Sequence, residues 1–197
     1  MPRSNKTLRF LALIGLGVAL LSGSACGGSS DDPTTGVSGA TFSPHAAPAA
    51  GTISMQPGTA SGTAFQIRVT AKGISNVFGV AFHLTFNSNL VHYDSFDSST
   101  SVLNGSGIET EFGATPVAGH PSELTVFATR KQNTGGTVSS VDITQGDLIV
   151  LHFHAVGTTA GTAIDFATPR EACDETAGSC GPVSPVPTWV GGILTVN

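Results

Sequence analysis

Charge is scarce in this sequence. Only 11% of its 197 residues are Asp, Glu, Lys or Arg, and three of the 8 basic residues (Arg3, Lys6 and Arg9) fall within the first ten. Past that point 5 bases face 13 acids, a net of −8. An acidic surface repels phosphate backbones, which disfavours nucleic acid as a partner. Tyrosine and tryptophan occur once each. No apolar run approaches the roughly 20 residues that span a bilayer as a helix. Sequence patterns for chemistry are missing too. There is no GxxxxGKS or GxxxxGKT phosphate loop, no GxGxxG, no HExxH and no EF-hand loop. Gly105-Ser106-Gly107 lacks the glycine spacing of a nucleophile elbow. Nothing here calls for an enzyme or a cofactor.

Helical periodicity is absent as well, and what remains is strand-like. Gly (25 residues), Thr, Ser and Val are abundant, and 11 Phe with many aliphatics can fill a core. Phe65, Ile67, Val69 and Ala71 alternate with polar neighbours, predicting a strand with one wet face. Phe78, Val80, Phe82, Leu84 and Phe86 share one face of the next strand, with Val77, Gly79, Ala81, His83 and Thr85 on the other. Further strands are predicted over 90–96, 108–112, 124–130, 147–156, 163–167 and 189–196. Turn signals stand at Pro57-Gly58, Asn104-Gly105, Gly135-Gly136, Gly161 and in the Pro-rich stretch Gly181 to Pro187. About nine short strands so separated predict an all-β chain folded as a two-sheet sandwich.

The N-terminus reads differently. Three basic residues, an apolar run from Phe10 to Leu21 and small residues up to Ala25 describe a secretory signal over residues 1–25. Ser24-Ala25-Cys26 resembles a bacterial lipobox, which implies a diacylglycerol on the Cys26 sulfur and membrane attachment through buried acyl chains. Gly23 stands where that pattern has an aliphatic residue. Gly27 in place of Asp after the cysteine resembles outer-membrane sorting, so an outer-membrane or cell-surface location is expected. Residues 26–50 are rich in Gly, Ser, Pro and Ala and are expected to be a flexible tether, with the folded domain over 51–197.

Cys173 and Cys180 flank a short loop. An exported chain lives where disulfides persist, so a bridge is expected there; no histidine or second CxxC stands nearby to make the pair a metal site. His152 and His154 point the same way from one strand and could chelate a metal, but two ligands fall short of a stable site, and a solvated face is expected. Glu109 and Glu111 share a strand face and read as charges guarding an edge rather than a hydrolytic pair. Trp189 is expected in the core. Phe127 beside His83 reads either as a binding patch or as packing under a loop.

Three segments together resemble the cohesin family of sandwich modules. They are Gln56-Pro57-Gly58-Thr59 followed by Phe65 to Val69, the run from Phe78 to Leu90, and Gly146 to Phe153. The resemblance covers about residues 51–197. It implies a nine-stranded jelly-roll-like sandwich that binds a protein partner, a dockerin-like module or another envelope protein, on one exposed sheet. By position that face would present Ala81, His83 and Thr85, joined by Thr125, Phe127 and Thr129; Ala81 stands where many cohesins carry Asp. Similar sandwiches also bind glycans, so a carbohydrate-binding module acting in polysaccharide binding or breakdown is the alternative reading. It would need a row of exposed aromatics.

Overall fold

A computed structural model describes residues 37–131, 140–174 and 181–197. The expected signal segment, Cys26, the first part of the tether, Gly135-Gly136 and Cys180 lie outside the described residues. The elements are β1 (Ala40–Pro44), β2 (Thr52–Ser61), β3 (Ala64–Val77), β4 (Gly79–Thr85), β5 (Val91–Asp97), β6 (Thr110–Val117), β7 (His120–Arg130), β8 (Val141–Ala155), β9 (Thr159–Asp174), β10 (Gly181–Pro182), β11 (Thr188–Val190) and β12 (Gly192–Val196). One sheet runs β1-β12-β9-β4-β7-β6, with β10 alongside β9; the other runs β11-β2-β3-β8-β5. No helix occurs among the described residues. The two-sheet sandwich expected from alternation is the observed architecture.

Alternation explains the layering. In β4, Val80, Phe82 and Leu84 are buried, while Ala81, His83 and Thr85 between them are half-buried on the outer surface. In β7, Leu124, Val126 and Ala128 do the same. From the other layer come Phe65, Ile67 and Val69 of β3 and Leu151 and Phe153 of β8. Two aromatic groups knit the layers. Phe82 and Phe166 meet edge to face at 5.1 Å, and Trp189 lies 5.0 Å from Phe166 and 5.6 Å from Phe82. At a second point Phe153 contacts Phe65, Phe86 and Tyr93 at 5.6–5.7 Å. Ring pairs in such geometries add to simple area burial.

Among the described residues twelve strands stand where about nine were expected. β1, β2 and β10 match none of the strands named from the sequence, and the expected strand 189–196 divides at Gly191. Its first part, β11, runs parallel to β2, whereas β12 joins the opposite sheet beside β9. The domain therefore does not begin at residue 51, as the tether reading of 26–50 expected. Ala40 to Pro44 pairs with β12 along five positions, and Ala40 and Phe42 are buried. Composition alone hid this strand, because ATFSP is short and set among Pro and Ala.

Two expected turns are also corrected. Pro57-Gly58 lies within β2, at a register shift against β3, and the hairpin turns instead at Gly62-Thr63, where Gly62 has φ +59°. That positive φ carries no steric penalty only for glycine. Gly161 sits inside β9.

Arg130 is an unexpected interior cation, 8% exposed. Its Nε donates to the Leu103 carbonyl at 2.9 Å, which ties the loop before β6 to the end of β7. Burial lowers its pKa from the usual guanidinium value. Tyr93, the sole tyrosine, is pushed up to about 12, first by burial and then by the neighbouring Asp94 carboxylate.

Two outcomes follow. A chain beginning at Gly51 should be less stable to urea than one beginning at Val37 by about 3 kcal/mol or more, since it loses the burial of Phe42 and bares the β12 edge. The phenolate absorbance of folded protein should have its midpoint near pH 12, against about 10 in denaturant. In that window the unfolded chain releases the proton first, so stability should fall as pH rises.

Candidate docking face

Strand register places all six residues expected on a partner-binding face on one surface. Four strands, β9-β4-β7-β6, form it in cross-strand rows. One row reads Glu171, Ala81, Phe127, Gly113; the next reads Ala167, His83, Thr125, Thr115. Thr85 stands between Asp165 and Glu123, and Thr129 between Gly79 and Glu111. Side chains opposite one another in paired strands share a face, so the outer wall is a continuous surface of small and polar groups with one aromatic ring.

That ring has a specific seat. A Cβ on Gly113 would lie 2.3 Å from Phe127 Cε1 and 2.6 Å from its Cζ. The phenyl group therefore lies across the bare backbone of β6, with Ala81 on its other flank. Of the two readings of Phe127, packing under a loop is not what is seen: the ring lies against β6 as a half-buried ridge on the sheet face. Similarly, a Cβ on Gly79 would meet Thr129 Oγ1 at 2.7 Å.

His83 is the polar centre. Its Nε2 is 3.1 Å from Thr125 Oγ1, and its Nδ1 is 3.5 Å from Glu123 Oε1. Glu123 Oε2 is also 3.9 Å from His120 Nδ1, and His45 Nε2 lies 3.2 Å from Asp165 Oδ1. Sequence reasoning missed Glu123, Asp165, Glu171, His45 and His120. Glu123 was within reach, since it precedes Thr125 by two in an alternating strand. Asp165, Glu171 and His45 needed the pairing of distant segments.

The other candidates separate from this face. His152 and His154 lie on the outer side of the second sheet, where His154 Nδ1 is 2.6 Å from Asp94 Oδ1 and its ring meets His92 at 5.2 Å. Among the described residues no group of three or more His, Cys, Asp or Glu is placed to hold a metal ion. Glu111 lies on the edge strand β6 and pairs with Lys131 at 3.1 Å. Cys173 is at the end of β9; its expected partner Cys180 lies outside the described residues. Trp189 and Tyr93, the two rings a glycan platform would draw on, pack against core phenylalanines.

Comparison with solved structures bears on the fold. The chain resembles the sixth cohesin of scaffoldin B from Acetivibrio cellulolyticus, solved in complex with a mutant Cel5 dockerin, with a TM-score of 0.50 and 16% identity over 79% of this chain and 96% of that one. It also resembles CaCohA2 from Clostridium acetobutylicum, with a TM-score of 0.54 and 14% identity over 82% and 92% of the two chains.

The fold is cohesin-like.

No protein-family model and no curated protein matches the sequence. At these identities the likeness is one of fold. Within the cohesin-like domain, the seating of Phe127 is open to test. Gly113→Val should displace the ring and cost about 1–3 kcal/mol in denaturation. Combined with Phe127→Ala, it should cost less than the sum of the single changes, because the clash is gone.

Proposed function

We propose that this chain is a membrane-anchored protein-binding module, holding a dockerin-type or other envelope protein at the cell surface. The lipid on Cys26 would supply attachment, and the outer face of β9-β4-β7-β6 would supply the docking platform. The observation that carries the reading is that face itself: six side chains expected to meet a partner share one wall of a cohesin-like sandwich, around a half-buried aromatic ridge. Interfaces commonly concentrate their binding energy in such an aromatic, ringed by polar groups that exclude water. Its rigidity also favours binding, because a sheet loses little conformational freedom on docking.

A polysaccharide ligand is less well supported, since Trp189 and Tyr93 are partly buried against core phenylalanines and form no exposed aromatic row. For the same chain, Cys26 as the anchor and a Cys173–Cys180 bridge form part of this proposal.

The test is site-specific crosslinking in cells. A photo-reactive residue in place of Thr125 should give a discrete protein adduct, and one in place of His152 on the opposite sheet should not. Phe127→Ala should reduce the Thr125 adduct at least about tenfold, as loss of an aromatic hot spot does. Cys26→Ser should move the protein from the membrane to the soluble fraction. Equal adducts from both sheets would refute the assignment of the face.

A further inference from the structure

The docking face carries an unusual set of counter-ions. Its outward carboxylates are Glu123 on β7, Asp165 and Glu171 on β9, and Glu111 on β6. Glu111 is neutralised by Lys131. Among the described residues, Glu123 and Asp165 form ion pairs with imidazoles alone: His83 and His120 flank Glu123, and His45 flanks Asp165. Arg170, adjacent on β9 at the register shift beside Phe82 and His83, is an exposed cation next to Glu171, and it donates to the Phe166 carbonyl at 3.4 Å. Half of the six histidines in the sequence thus stand beside this face's carboxylates.

Lone histidine–carboxylate pairs on a surface are commonplace and contribute little. What distinguishes this group is its composition and its place. Imidazole is the side chain whose charge ordinarily changes between about pH 5 and 8. With the three rings neutral, Glu123, Asp165 and Glu171 against Arg170 leave this group at −2; with all three protonated it stands at +1. The His83–Glu123 pair lies in the middle of the face, with side chains only 22% and 26% exposed, so it is less screened than a surface pair.

Resting on the docking reading above, we propose that binding on this face is proton-linked: near neutral pH its carboxylates receive a partner surface rich in Lys or Arg, and protonation of His45, His83 and His120 releases it. Charge complementarity names the partner's chemistry. The sign follows from it, since positive charge added to the face on acidification opposes a basic ligand.

The probe is hexa-arginine, titrated into the full chain in detergent micelles and followed by amide resonances, with hexa-glutamate as control. Hexa-arginine should shift the amides of β4 and β7, with a dissociation constant rising roughly tenfold from about pH 7.5 to about pH 5.5; hexa-glutamate should not shift them. The triple variant His45→Gln, His83→Gln, His120→Gln should bind at the lower pH within about twofold of its affinity at the higher. Should His83→Gln disturb the sheet, the pair His45→Gln, His120→Gln, both on exposed side chains, should remove part of the pH dependence. Binding that maps elsewhere, or pH dependence that survives in the triple variant, overturns the proposal. Repeating the Thr125 crosslink at both pH values separates the two readings. An adduct unchanged with pH keeps the docking face and sinks the proton linkage, whereas no adduct at either pH sinks the docking face itself.

Discussion

One apolar interior shared between two sheets governs this molecule. In a strand, every side chain turned inward commits its neighbours to the outside. Once Val80, Phe82 and Leu84 are buried, Ala81, His83 and Thr85 have no choice of side. The outer wall is therefore an obligatory by-product of core packing, and it is held in place by the layer beneath. A slip of one residue in β4 or β7 would invert the whole arrangement, and the phenylalanines that fill the core are what forbid it. Specificity of the surface and stability of the interior are the same constraint seen from opposite sides.

Much of this was legible in the sequence because alternation is a local signal. β3, β4, β7 and β8 were placed by the pattern of their own residues, and so were the six side chains of the face. What escaped was non-local or too short to show a period. β1 has only five residues, and its role depends on a partner, β12, at the other end of the chain. Glu171 and Asp165 join the face only because β9 pairs with β4. Arg130 was unreadable as an interior group, since the carbonyl that accepts from it belongs to a loop 27 residues away. Pro57-Gly58 misled because a proline–glycine pair signals a reversal and a strand irregularity alike.

One glycine links the edge of the sheet to its outer face. Gly113 has no side chain, and the space is occupied by Phe127 from the adjacent strand. An aromatic ring laid over a bare edge-strand backbone shields it from water and from stray pairing. The same ring stands at the centre of the outer wall. A single contact between β6 and β7 thus serves the edge of the sheet and shapes its outer surface.

The pairing of β1 with β12 has a mechanical meaning. Chain ahead of Ala40 enters the sheet along a strand axis, and five paired positions link it to β12, which continues through β9 to β4. Tension drawn outward along that axis, and resisted by a weight seated on β4 or β7, would shear this ladder lengthwise, loading its hydrogen bonds in parallel instead of opening them one after another. If the proposed anchor and cargo are real, the load between them would run along this ladder.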